Sequence, residues 1–301
     1  MKVRQPSFAY PDDFDAAWHP RRPEVAAAAN AVSLMMPHAE PLVALAVRDA
    51  VTGFDPAGEL AVEAKAYVGQ ELQHHRQHQL LNERLIACHP ALGQVDRALD
   101  WTYLRLANRS LTFRLAFAAG FETVAYSSAR WVDDRLHRLF DGAESTAATL
   151  FLWHLAEEVE HKTVAFDVFA AHIAATESQR RFDPKARVKR FAGMAVAILL
   201  LGLFCIAGTV TMLVGQRKRY VPVWLARLLA LSISLAFEVL PLAAVSMLAG
   251  HHPRSLADPS WYSLWLSGYD AETGHLSSWN ELIGPAISAD ESIRGPVDSP
   301  A

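Results

Sequence analysis

The sequence predicts an all-α fold, a four-helix bundle followed by an apolar helical hairpin. Three observations carry this. Between Ala91 and Asp183 there is no proline, and Ala, Leu, Arg and Glu, all good helix formers, dominate. No run alternates apolar and polar residues between turn signals, so no strand is expected. Glu-x-x-His occurs twice in helical segments, each time preceded by a lone Glu in an otherwise apolar helix.

Residues 1–23 read as an irregular arm. Pro6, Pro11, Pro20 and Pro23 punctuate it, and Phe8, Tyr10, Phe14 and Trp18 predict that it packs onto the body. Residues 24–180 read as the bundle. Breaks at Gly53-Phe54-Asp55-Pro56, His89-Pro90 and Asp141-Gly142 divide it into helical stretches over about 30–51, 57–87, 93–139 and 145–175. The third is either two helices or one kinked helix. Short connections between long helices imply antiparallel neighbours. Residues 181–301 read as the hairpin and a tail. A basic linker at 176–190 leads into Phe191–Gln216, which holds no charged residue. Leu228–Gly250 holds one, Glu238. Beyond Gly250 come Trp261, Tyr262, Trp265 and Tyr269, then a Pro/Ser/Asp tail.

Composition excludes several classes. The 301 residues are 51% hydrophobic and 20% charged, too apolar for a disordered chain. A formal net charge of −4 gives no global basic field, so no nucleic-acid partner is expected. Cys88 and Cys205 alone exclude a disulfide scaffold and a cysteine zinc ribbon, and fit a reducing compartment. The N-terminus lacks an apolar core of the secretory kind, so a cytoplasmic location is expected. No Walker A loop, Gly-x-Gly-x-x-Gly turn or Gly-x-Ser-x-Gly elbow occurs.

The chemistry lies in the two Glu-x-x-His pairs, Glu71/His74 and Glu158/His161. Residues three apart share a helix face, so each helix offers a carboxylate and an imidazole to one point. A di-metal site in a four-helix bundle takes such a pair from two helices and a lone Glu from each of the others. Glu40 is the only acidic residue between Val25 and Val47, and Glu122 the only charged residue between Leu115 and Ala129. A buried carboxylate without a partner is costly, and a metal ion compensates it. The candidate metal ligands are therefore Glu40, Glu71, His74, Glu122, Glu158 and His161. A lone Glu-x-x-His is more often a solvated helix face; it is the repeated constellation that argues for metal. Glu157, four residues before His161, is an alternative to Glu158. His78 and His154 sit one turn from the ligand pairs; hydrogen-bonding support of the ligands is the expected role of both, with a further ligand or a satisfied core histidine as the alternatives. Glu160 falls on another face. Tyr67 and Asp167 are weaker supports. Four carboxylates and two imidazoles suit two iron ions, with manganese or zinc as alternatives.

These residues resemble a family of bacterial predicted metal-dependent hydrolases within the ferritin-like group. The likeness rests on PHAE around Glu40, YVGQELQHHRQH around Glu71 and His74, and WHLAEEVEHKTVAFD around Glu158 and His161. The stretch around Glu122 matches more loosely, and SGYDAETGHLSS stands where the family pattern has a Phe-His-Pro motif. The resemblance implies a ferritin-like bundle and, by name, hydrolysis. The ligand types favour O₂-activating oxidase or oxygenase chemistry at a di-iron centre. The rivals are two-metal hydrolysis, iron handling without an organic substrate, and a purely structural membrane-associated helical protein.

Phe191–Gln216 exceeds the roughly 20 apolar residues that span a bilayer. Arg187, Lys189 and Arg190 precede it, and Arg217, Lys218 and Arg219 follow. The segment is expected to span with Leu228–Gly250 returning, to lie in the interface, or to form a buried or dimerising helix pair. Membrane contact through 191–250 at the inner membrane would fit a small apolar or lipid-like substrate; the dimerising alternative would give a homodimer. In lipid, Glu238 needs a partner.

Overall fold

The structure, a computed structural model, describes residues 1–176, 184–214, 221–246, 248 and 251–282. Residues 177–183 of the linker, Arg217–Arg219 and the tail from 283 lie outside these. The fold is an all-α bundle with two long apolar helices towards the C-terminus. Among the described residues no strand forms; Tyr269 and Leu276 make one isolated antiparallel bridge.

In chain order the helices are α1 (Pro23–Val51), α2 (Glu59–Cys88), α3 (Leu92–Ala107), α4 (Leu111–Asp133), α5 (Leu136–Phe140), α6 (Ser145–His161), α7 (Val164–Thr176), α8 (Pro184–Val214), α9 (Val221–Val245), α10 (Tyr262–Ser267) and α11 (Trp279–Leu282). The expected third stretch is three helices. Ser110 accepts the Phe113 N–H at 3.3 Å and so caps α4. The chain then turns at Asp134–Arg135 before α5. The fourth stretch is two helices, broken at Lys162–Thr163. Glu144 starts α6 by accepting the N–H groups of Thr146 and Ala147 at 2.9 and 2.8 Å.

Helices α1, α2, α4 and α6 form the bundle that carries the motif residues, and α7 runs on from α6 against α4 and α2. Helix α1 is unusual inside. Pro37 and Pro41 lie within it, on either side of Glu40. A proline removes the N–H that would bond the carbonyl four residues back. The carbonyls of Ser33 and Pro37 are thereby freed, and α2 uses both. Asn82 Nδ2–H donates to Ser33 O at 2.8 Å, and half-buried His75 lies against Pro37 O. The prolines thus join α1 to α2 beside Glu40.

The N-terminal arm packs along the bundle with Phe8, Tyr10, Phe14 and Trp18 buried. Trp18 Nε1–H donates to Asn30 Oδ1, and Asn30 Nδ2–H donates to Ala16 O, each at 2.8 Å. The Phe8 N–H donates to Gln77 Oε1 at 3.2 Å. The C-terminal segment holds the arm in turn: the Gln5 N–H donates to Tyr269 Oη at 3.1 Å.

Helix α8 lies against α1 and α4. Glycines set how close it comes. A Cβ on Gly193 would stand 2.4 Å from the Ala116 carbonyl carbon, and one on Gly120 would stand 2.3 Å from Met194 Cα. The outer faces stay apolar. Leu199, Leu203, Ile206, Val210 and Val214 form an exposed stripe on α8; Leu225, Leu229, Ile233, Phe237 and Leu240 form another on α9. Both helices are long and apolar enough to cross a membrane by length and composition, at mean hydropathies of 2.5 and 2.2. Glu238 pairs with Arg130 at 3.3 Å.

Candidate metal centre

Each bundle helix delivers its motif residues to the interior. Glu40 comes from α1, Glu71 and His74 from α2, Glu122 from α4, and Glu158 and His161 from α6. None is more than 1% exposed. On α2 the inner face is polar where a core face should be apolar. Gln70, His74, His78 and Asn82 follow at steps of four, all buried.

Ligand-type atoms of Glu71, His74, Glu158 and His161 lie within 4.8 Å of one another. His161 Nδ1 stands 3.0 Å from Glu71 Oε1, 3.5 Å from Glu158 Oε1 and 3.7 Å from Glu122 Oε2. His74 Nδ1 stands 3.4 Å from Glu158 Oε1 and 3.9 Å from Glu71 Oε2. His154 Nε2 stands 2.9 Å from Glu158 Oε1 and 3.6 Å from Glu40 Oε1, and a second close group joins Glu40, His78 and His154. All six predicted ligands therefore share one buried region, with His154 and His78 beside it.

The outer nitrogens of the two motif histidines are fixed. His74 Nε2 faces Glu157 Oε2 at 3.0 Å; a carboxylate oxygen accepts, so His74 donates. His161 Nε2 faces Gln70 Oε1 at 3.0 Å. Gln70 Nε2 donates to Lys2 O and to Glu160 Oε2 at 2.9 and 2.7 Å, so its oxygen faces His161 and accepts. In the neutral form that binds metal, both imidazoles therefore turn an Nδ1 lone pair towards the carboxylates. Arg4 of the arm closes both chains. Its guanidinium donates to Glu157 at 2.9 Å and to both oxygens of Glu160 at 3.1 and 3.0 Å. Tyr67 Oη donates to Glu122 Oε1 at 2.6 Å.

The charge balance is unfavourable without a cation. Both oxygens of Glu40, both of Glu71, Glu122 Oε2, Glu158 Oε2, His74 Nδ1 and His161 Nδ1 are buried without a hydrogen-bond partner. Such groups are rare in folded proteins, and together here they point to an ion. Burial, and then the neighbouring carboxylates, push Glu40 and Glu122 well above the usual carboxylate range. Burial raises Glu71 too, against the opposing pull of His161. Burial would lower His161, but Glu158 and Glu71 outweigh it and hold the imidazole well above its ordinary value. Burial would raise Glu158; His161 and His154 outweigh that and hold it well below. Burial holds His74 well below its ordinary value. One positive charge among four carboxylates is too little, and metal ions fit the donors present.

Glu157 and Glu158 separate clearly. Glu157 faces His74 Nε2 and Arg4, while Glu158 faces the lone pairs of His74 and His161. Asp167 lies elsewhere, paired with His252 at 2.7 Å and Arg254 at 3.6 Å. Arg4, Gln70, Ser33 and Asn82 were not among the residues singled out from the sequence. The signal for Gln70 and Asn82 is the step of four on α2. Arg4, one of four Lys and Arg residues in the aromatic arm, has no sequence signal that sets it apart.

Comparison with protein families finds a match over residues 2–256 to the family described as predicted metal-dependent hydrolase. The chain belongs to that family. The match ends before the SGYDAETGHLSS segment. No curated protein and no solved structure matches the chain.

Proposed function

We propose that this member of the predicted metal-dependent hydrolase family is a di-metal enzyme whose chemistry is O₂ activation at two iron ions. One observation carries the reading: six buried carboxylate and imidazole groups turn unpaired ligand atoms towards one another. Glu122 and His161 would hold one ion and Glu40 and His74 the other, with Glu71 and Glu158 placed to serve either. Hard oxygen donors with imidazole suit iron or manganese, and a bound ferrous pair supplies the electrons for O₂ reduction. The chain's own part is to hold and shield. Glu157 and Gln70 fix the two imidazoles through their outer N–H groups, which orients ligands and strengthens them. Tyr67 holds a proton 2.6 Å from Glu122 Oε1 and so orients that carboxylate. Trp153, at 4.9 Å from His74, and Tyr67, at 4.7 Å from His161, stand edge-on to the imidazoles and keep water out.

The family description favours a second reading, two-metal hydrolysis with water as nucleophile. Oxygen uptake by anaerobically reconstituted ferrous protein separates the two. The oxidative reading expects uptake in proportion to bound iron, above that of free ferrous ion, and lost in Glu122→Ala. Uptake no faster than free iron, with the zinc-loaded protein cleaving p-nitrophenyl esters, contradicts it.

The apolar stripes of α8 and α9 extend the reading to a substrate class. Their occupant is a bilayer surface: both helices have the length and hydropathy of membrane segments, and basic residues flank them in sequence, complementary to anionic headgroups. A small apolar or lipid-like substrate then reaches the bundle from the membrane. Flotation with vesicles of phosphatidylcholine and phosphatidylglycerol tests this. The full chain should float, and Leu229→Glu/Phe237→Glu should stay at the bottom. A wild-type chain that stays at the bottom as a dimer contradicts it.

A further inference from the structure

A chain of hydrogen bonds runs from α1 through α2 to α6 and ends at the carboxylates. It begins at the Ser33 carbonyl, which Pro37 leaves free. A carbonyl only accepts, so the Asn82 amide nitrogen must face it, at 2.8 Å. That orientation aims Asn82 Oδ1 at Ser33 Oγ, 2.7 Å away. An amide oxygen also only accepts, so the Ser33 hydroxyl spends its proton there. Ser33 Oγ can then only accept from His78 Nδ1, at 2.9 Å, so His78 carries its proton on Nδ1. His78 Nε2 is left with a lone pair. It faces His154 Nδ1 at 2.7 Å, which must therefore be the donor.

His154 Nε2 comes last. A neutral His154 has a bare lone pair there, 2.9 Å from Glu158 Oε1 and 3.6 Å from Glu40 Oε1. Three electron-rich atoms converge, and neither Glu40 oxygen has a hydrogen-bond partner. A second proton on Nε2 would serve Glu158 and leave both Glu40 oxygens bare, whereas a metal ion between them serves all three groups. His78 cannot be the ligand, because both its nitrogens are committed within the chain.

We propose that His154 is a seventh metal ligand, through Nε2, to the ion on the Glu40 side, and that His78, Ser33 and Asn82 fix its tautomer. This rests on the two-metal reading above. The two sites then differ. The Glu40 side has the imidazoles of His74 and His154, and the Glu122 side has His161 alone. Imidazole suits iron and zinc, whereas oxygen donors suit manganese. The Glu40 side therefore prefers iron or zinc, and the Glu122 side tolerates manganese.

The test uses the full chain, stripped of metal and titrated with Co²⁺. Visible absorption reports affinity and elemental analysis after desalting reports stoichiometry. Wild type should bind two ions per chain. His154→Ala should weaken one site by more than the roughly 10–100-fold that loss of an outer hydrogen-bonding support costs, and leave the other unchanged, with added imidazole restoring the weakened site. A variant that binds both ions at wild-type affinity overturns the proposal. So does equal weakening of both sites without rescue, since that marks a structural support. A wild-type chain that binds no Co²⁺ instead removes the two-metal reading on which the proposal rests. A second measurement needs no variant. Proton NMR of the Co²⁺-loaded wild type should show three strongly shifted, solvent-exchangeable imidazole N–H signals, from His74 Nε2, His161 Nε2 and His154 Nδ1. Two such signals overturn the assignment of His154.

Discussion

Arg4→Met removes the cation that joins the two outer chains of the metal centre. The side chain is 9% exposed and makes three hydrogen bonds, one to Glu157 and two to Glu160. Breaking a buried ion pair from one side costs about 3–5 kcal/mol, because the remaining charge is stranded. Two features put Arg4 at the lower end. Glu160 is partly exposed and keeps Gln70 and Tyr262 as partners. Burial already lifts Glu157 to about 7 against the pull of Arg4, so it can take up a proton instead of remaining stranded. Without Arg4 that value rises further. A carboxyl raised above its unfolded value loses stability as pH climbs towards its folded value. The deficit is therefore about 3 kcal/mol at pH 8, where a stranded charge persists, and smaller at pH 6. At about 2–4 °C per kcal/mol for a chain of this size, the pH 8 deficit lowers Tm by about 6–12 °C. Circular dichroism melts of metal-free protein at pH 6 and pH 8 read it directly. Arg4→Lys, which keeps the charge and loses the fork, should fall between. A methionine variant that melts with wild type at pH 8, or a deficit that shrinks as pH rises, would refute the reasoning.

Other consequences follow from the same contacts. Gly193→Ala puts a methyl group 2.4 Å from the Ala116 backbone and should cost about 3 kcal/mol in thermal or urea unfolding. Gly202→Ala meets nothing within 4 Å and should instead gain about 0.5–1 kcal/mol from helix propensity; equal effects would remove the claim that glycine sets the α4–α8 approach. The metal-free protein should lose stability as pH rises above about 6.5, the unfolded value of histidine. Burial-raised Glu40, Glu71 and Glu122 give up protons that the fold retains, and carboxylate-raised His161 gives up its charge. Metal-loaded protein should show a flatter profile, and a metal-free Tm that rises over that range would contradict the charge balance described.

The motif acids and histidines were legible because metal chemistry writes itself as spacing. An i, i+3 pair needs only the helix period, and an isolated Glu in an apolar helix stands out by contrast. Helix breaks were less legible. Nothing as strong as Pro or Gly marks Asn108–Ser110, where a serine cap restarts the helix, or Lys162–Thr163, where α6 gives way to α7. The supporting shell was the least legible part. Pro37 and Pro41 lie inside the predicted 30–51 stretch, and that they free carbonyls for α2 shows only in the packed structure. Arg4 acts across a separation of more than 150 residues, and only the packed arm brings it to Glu157 and Glu160. Local periodicity has no access to a contact of that kind.

The central claim is that the buried carboxylate and imidazole groups hold two metal ions. Elemental analysis of protein purified without chelators, beside Glu122→Ala, tests it most directly. Two iron or manganese ions per chain, falling to one or none in the variant while helix content is kept, is the result the geometry predicts. No bound metal in wild type after reconstitution with iron, manganese and zinc, or full retention in the variant, would contradict it.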